Sequence, residues 1–163
     1  MATQRRQPDA GRDFDGFYLS VYPRALAVAR RIVGPSLAED VAIEGVARAF
    51  AHWKSVAKME RPEAWVVRVV TNIAIDEVRR KKAYLGEIAV HDTSNDFVIR
   101  HSVVEALRIL SKRQQEVVVL RYIVDLPEGD VARILGMSTS TVGTHLHRAL
   151  AHLRTFLTEQ KSA

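Results

Sequence analysis

Apolar residues recur at three- and four-residue steps along almost the whole chain, and that period is the strongest constraint on its fold. It is the spacing that lines up one face of a helix, whereas a half-buried strand would alternate every second residue. Leu19, Tyr22, Leu26, Ala29 and Val33 follow it, which predicts a helix from about Asp13 to Val33, closed by Gly34-Pro35. Ser36-Leu37-Ala38-Glu39 has the capping-box form and opens a second helix, with Val41, Val46, Ala49, Phe50 and Trp53 as its apolar face. Residues 54–61 lose the pattern and read as a loop. Pro62 suits a first helical position, where its missing N–H costs nothing, and Trp65, Val66, Val69, Val70, Ile73 and Val78 continue a third helix to Arg79-Arg80-Lys81-Lys82. There the cations suit the negative end of a helix dipole. Trp53 and Trp65 are expected in the core.

The period fades over residues 83–96, which hold Gly86, Asp92, Thr93, Ser94, Asn95 and Asp96 and read as a linker. It resumes at Val103, Val104, Leu107 and Leu110. Ser111-Lys112-Arg113-Gln114 is a second capping-box match, opening a helix through Val118, Leu120 and Tyr122. A short helix from Pro127 to Leu135 then ends at Gly136, and Ser138 can cap a longer helix bearing Val142, Leu146, Ala149, Leu150, Leu153 and Leu157. This layout fits an ordinary antiparallel helix pair or a helix-turn-helix, whose second helix enters the major groove. The hydroxyls of Ser138, Thr139, Ser140, Thr141 and Thr144 at a helix N-terminus favour the latter, because phosphate oxygens bind well there. The expected fold class is all-α: two small helical domains on a flexible linker. Residues 1–11 are a disordered tail, 12–82 the first domain, 83–96 the linker and 97–163 the second domain.

Composition narrows the function. The chain has 163 residues, no cysteine and a net charge of +5. A disulfide framework, a thiolate nucleophile and a cysteine-based zinc site are therefore excluded. The polar N-terminus is not a signal peptide, and no stretch approaches the roughly 20 apolar residues of a membrane span, so the expected localisation is cytoplasmic with no membrane insertion. Located, the charge says more: residues 1–82 hold 15 basic against 10 acidic side chains, residues 83–110 hold 2 against 4, and residues 111–163 hold 7 against 5. A positive first domain fits a polyanionic partner, though Arg79–Lys82 also reads as a solvated helix end, and Asn72, Asp76, Arg68 and Arg79 as a surface salt-bridge ladder. His145, His147 and His152 do not share a helical face, so no metal is expected. There is no GxSxG, glycine-rich phosphate loop or HExxH, so neither an enzyme nor a cofactor is expected.

Two separated stretches carry a resemblance. Residues 38–53 (Ala-Glu-Asp-Val-Ala-Ile-Glu-Gly-Val-Ala-Arg-Ala-Phe-Ala-His-Trp) and 64–80 (Ala-Trp-Val-Val-Arg-Val-Val-Thr-Asn-Ile-Ala-Ile-Asp-Glu-Val-Arg-Arg) resemble region 2 of the extracytoplasmic-function (ECF) sigma factors of bacterial RNA polymerase. Residues 105–154, with Ala-Arg-Ile-Leu-Gly-Met-Ser and Thr-Val-Gly-Thr-His-Leu-His-Arg, resemble region 4. The resemblance implies an alternative sigma factor, with a three-to-four-helix region 2 bundle and a region 4 helix-turn-helix domain, that binds core RNA polymerase at the clamp helices of the largest subunit and at the flap. It also implies promoter DNA and an anti-sigma factor as partners. Asp40, Glu44, Gly45 and Arg48 fall in the polymerase-contacting segment. Lys54, Lys58, Arg61, Arg68, Asn72, Arg79 and Arg80 fall where the minus-ten element is held, and Asp76 matches the motif as a group that orients Arg79 or Arg80. Ser140, Thr141, Thr144, His147 and Arg148 would read the minus-thirty-five element. Ile43 stands where the family usually has glutamine, and Gly143-Thr144-His145 where it usually has Lys-Ser-Arg, which implies weak or unusual minus-thirty-five recognition. The alternative is a LuxR-type helix-turn-helix regulator that binds duplex DNA without replacing sigma. Such a regulator has no need of residues 38–80.

Overall fold

The computed structural model describes residues 10–87 and 105–161, and among them every regular element is helical. The first domain comprises α1 (Ala10–Val33), α2 (Pro35–Ala51), the single turn α3 (Trp53–Val56) and α4 (Pro62–Glu87). Helices α1, α2 and α4 pack pairwise around one core. Its centre is made of small and β-branched residues: Val21, Ala25, Val28 and Ala29 from α1, Ala38, Val41, Ala42 and Val46 from α2, and Val66, Val67, Val70 and Ala74 from α4. Alanine and valine let the three helix axes approach closely, and Gly45 takes this furthest. Its missing side chain makes room for Val70, with which any added Cβ would collide.

The buried face of α1 keeps Ala29 and Val33 of the expected stripe, with Tyr22 and Leu26 partly buried against the core, but leaves out its first member. Leu19 is 73% exposed, while Val21, Ala25 and Val28, offset around the helix, are buried. Near the start of the helix the close-packed bundle takes the smaller Val21 in place of Leu19. Phe50 is likewise exposed on α2, whereas Trp53 and Trp65 pack partly buried against the core. The expected capping box at Ser36 does not form: α2 begins at Pro35, N-capped by Gly34 without a side-chain hydrogen bond. Part of the expected 54–61 loop is helical, since Val56 N–H donates to the His52 carbonyl and Ala57 N–H to that of Trp53. Helix α4 runs on through Glu87, so residues 83–87 are helix rather than linker. Arg79–Lys82 consequently lie inside α4, and its last turn holds no cation. The dipole reason for their placement falls. Of the expected tail 1–11, Ala10 and Gly11 already belong to α1; residues 1–9 and the rest of the expected linker, with Val103 and Val104, lie outside the described residues.

In the second domain, residues 105–108 are helical and precede α5 (Lys112–Val118), which passes into a π-helical turn at Val119–Ile123. Then come α6 (Glu128–Leu135) and α7 (Thr139–Lys161). The capping box at Ser111 forms as expected: the Gln114 N–H donates to Ser111 Oγ, and the Ser111 N–H to Gln114 Oε1 at 3.1 Å. The buried Gln115 amide donates to the carbonyls of Leu107 and Leu110 at 2.8 and 3.0 Å, tying the preceding turn to α5. Gly136 ends α6 at φ 65°, a left-handed conformation that glycine takes without Cβ strain. The Thr141 N–H donates to Ser138 Oγ at 3.1 Å, capping α7. Helices α5 and α6 both pack on α7, through Val142, Leu146 and Ala149 of its buried stripe.

The two domains also pack on each other. Helix α6 lies against α4, with smaller contacts from α5 to α4 and from the π-helical turn to α1.

Candidate nucleic-acid interface

On α7 the stripe opposite the packed one is free. Ser140, Thr141, Thr144, His147 and Arg148 are all exposed, so the geometry of a recognition helix is present. Its polar groups are mostly neutral: Thr144 Oγ1 donates to the Ser140 carbonyl at 3.0 Å, and the Thr141 and Ser138 hydroxyls lie 2.8 Å apart. Gly143 is half-buried with open space where a Cβ would sit. Among the described residues, no group of three or more histidines and acids could hold a metal ion.

The candidate strand-binding residues fall into three groups along α3 and α4. Lys54 on α3, Lys58 in the turn after it and Arg61 just before α4 are exposed at one end. Arg79 and Arg80 are exposed far along α4, roughly 27 Å away at 1.5 Å per residue. Asp76 pairs with Arg79 at 3.9 Å, while Arg80 pairs with Glu77 at 3.2 Å. These are open surface pairs of small energetic value, and they leave the guanidinium groups available. Between the two ends lie Arg68 and Asn72, which are not available. Arg68 Nε donates to Glu116 Oε1 at 3.2 Å and Asn72 Nδ2 to the same oxygen at 3.0 Å. Glu116 belongs to α5 of the second domain, and its side chain is 1% exposed.

On α2, Asp40, Glu44 and Arg48 recur every four residues on one exposed face, with Arg48 Nε donating to Glu44 Oε1 at 2.8 Å. Exposed Ile43 (53%) and Phe50 (62%) add apolar area to the outer side of α2. Gly45 does not belong with this set. It faces inward against Val70, so its part is to let α2 and α4 approach. Where α1 meets the end of α2, Phe14 stacks near Phe50 and Trp53, and Phe17 near Trp53, at centroid separations of 4.8 to 5.1 Å. Further along α1, burial holds the Tyr22 phenol above its usual pKa, with smaller contributions from the Glu39 carboxylate and Tyr18.

Fold and surface together define a two-domain, all-helical protein with a cation-bearing bundle and a helix-turn-helix. Residues 17–84 match the Sigma-70 region 2 family and residues 100–153 the Sigma-70, region 4 family. The chain is 30% identical over 149 residues to the RNA polymerase sigma-E factor of Streptomyces coelicolor, covering 87% of this chain and 84% of that one. It is also 30% identical over 137 residues to the ECF RNA polymerase sigma factor SigW of Bacillus subtilis, covering 72% and 73%. Among solved structures, it is similar in fold to CnrH in complex with the cytosolic domain of CnrY (TM-score 0.54, 24% identity, 91% of this chain and 90% of that one). A second is the sigma factor RpoE with the anti-sigma factor NepR from Bartonella quintana (TM-score 0.53, 23% identity, 90% and 98%). The chain belongs to the ECF group of the sigma-70 family and is an alternative sigma factor.

Proposed function

We propose that the exposed face of α2 docks on core RNA polymerase, that α3 and α4 hold the opened minus-ten strand, and that α7 reads the minus-thirty-five element as duplex. What carries this reading is the division of exposed chemistry. Asp40 and Glu44 put carboxylates on α2, which suits a basic partner groove. Lys54, Lys58, Arg61, Arg79 and Arg80 put cations along α3 and α4, which suits a flexible phosphate backbone. Neutral hydroxyls, His147 and Arg148 occupy α7, which suits groove edges. The role is non-catalytic and cytoplasmic, with the chemistry left to the polymerase; among the described residues no helix is long and apolar enough to cross a membrane. The structural relatives bound to NepR and to CnrY support an anti-sigma partner for this chain as well.

Reconstitution with sigma-free core polymerase tests this reading. Promoter-specific transcripts are expected, whereas duplex binding without polymerase association would sink it. Asp40→Arg combined with Glu44→Arg, both at exposed positions, is expected to abolish core binding in a pull-down while leaving the helical circular dichroism unchanged. Retained binding would move the interface off α2.

A further inference from the structure

We propose that the free chain holds itself shut through Glu116, whose carboxylate occupies the two promoter-facing groups in the middle of α4. This rests on the strand-binding reading of Arg68 and Asn72 given above. Glu116 sits in a run of buried residues, Gln114 to Leu120, and an isolated carboxylate there would be costly. It is not isolated: Oε1 accepts from Arg68 and Asn72 of the first domain, and Oε2 accepts from Arg113 Nη1 at 3.0 Å. A carboxylate held by a guanidinium and an amide stands in for the phosphate oxygens those groups would otherwise bind.

The surroundings fit a contact made to be broken. Elsewhere between the domains the interface is not closed: an open groove runs between the end of the first domain's loop (Glu60, Arg61) and the helix-turn-helix (Ala132, Arg133, Met137). Relative motion is the default for domain interfaces that are not large and apolar. When the domains part, Glu116, Arg68 and Asn72 all gain water together, so no charge is stranded.

Separation is also required by the work. The two promoter elements lie about 25 base pairs apart, or roughly 85 Å at 3.4 Å per step, whereas α4, the longest helix, spans only about 39 Å. With α6 packed on α4 and α7 three residues beyond α6, the closed chain cannot reach both elements. Docking on polymerase would supply the free energy that opens it.

The test uses the full chain. It has no native cysteine, so single cysteines replacing Ala27 on α1 and Thr155 on α7, both exposed, carry a pair of spin labels. The parent is expected to give one short, narrow distance distribution. Glu116→Gln, which turns one acceptor oxygen into a donor facing cations, is expected to give a long, broad one. Arg68→Gln, at a half-exposed position where folding is not at risk, should open the chain in the same way. Unchanged distances in both variants overturn the proposal. Binding of a single-stranded minus-ten oligonucleotide, read by anisotropy, separates the two ideas. Glu116→Gln should bind about tenfold more tightly, of the order of one charge-assisted hydrogen-bond network released, and Arg68→Gln should show no gain. Opening without any gain in Glu116→Gln would support the latch and overturn the strand-binding reading of Arg68 and Asn72.

Discussion

Helices α4 and α7 are alike in length, 26 and 23 residues, yet they offer DNA different surfaces. The outward face of α7 is open along its first turns and carries hydroxyls, histidine and one arginine. That of α4 carries cations at its far end, continues the cations of α3 and its loop, and has its middle covered by the second domain. On the proposed roles, the difference fits two states of DNA. A duplex groove presents base edges to a neutral, shape-matched helix, whereas an unpaired strand presents a flexible phosphate backbone that a spread of cations can track. It also locates the +5 of the chain: the excess lies in the first domain, and α7 is comparatively poor in it.

Charge reversal gives the sharpest way to break this comparison. Arg79→Glu with Arg80→Glu is expected to lower promoter opening on the order of a hundredfold, about tenfold for each reversed contact, with core association unchanged. The single reversal Arg148→Glu on α7 should cost only about threefold, and equal losses per reversed charge from the two helices would remove the contrast. Stability gives a second comparison, through one substitution at two glycines. Gly45→Ala is expected to lower stability by about 1–2 kcal/mol in thermal or urea unfolding, because overpacking against Val70 outweighs a helix-propensity gain of about 1 kcal/mol. Gly143→Ala has open space for its methyl group, so it should raise stability by about 0.5–1 kcal/mol. The smallest effect concerns salt. Arg148→Ala should flatten the slope of log K against log salt for duplex minus-thirty-five binding by about one unit, whereas Thr144→Ala, which removes no charge, should leave it nearly unchanged.

Much of this was legible in the sequence wherever one residue decides a local geometry. Gly136, Ser138, the Ser111 capping box and Pro62 each fix a backbone state within a few residues, and the helix-turn-helix stands where its spacing predicts, although Leu150 and Leu157 of its expected apolar stripe are exposed. The exposed candidates on α7, at both ends of the α3–α4 surface and on α2 also follow from helical phase. Where two solutions compete, sequence could not choose. On α1 the bundle takes the smaller Val21 and leaves out Leu19, while Ala29 and Val33 of the expected stripe are buried. Pro35 pre-empted Ser36 as the helix start, and the weak pattern after Lys82 hid a helix that continues to Glu87. Gly45 looked like part of a contact surface because its neighbours Glu44 and Arg48 are. Its role depends on Val70, a residue on another helix. Glu116 stands in the sequence at the end of a polar run, Lys112 to Gln115, where a charge is unremarkable; its partners Arg68 and Asn72 lie 48 and 44 residues away, and no local rule connects them.

The most direct test of the two-state reading is chemical probing of a promoter bound by polymerase reconstituted with this chain. Single-strand-specific oxidation of thymines and duplex protection from nuclease are read on the same DNA. The account predicts reactive thymines confined to the minus-ten element, with the minus-thirty-five element protected as intact duplex. A minus-ten element protected as duplex, without reactive thymines under conditions that support transcription, would contradict it.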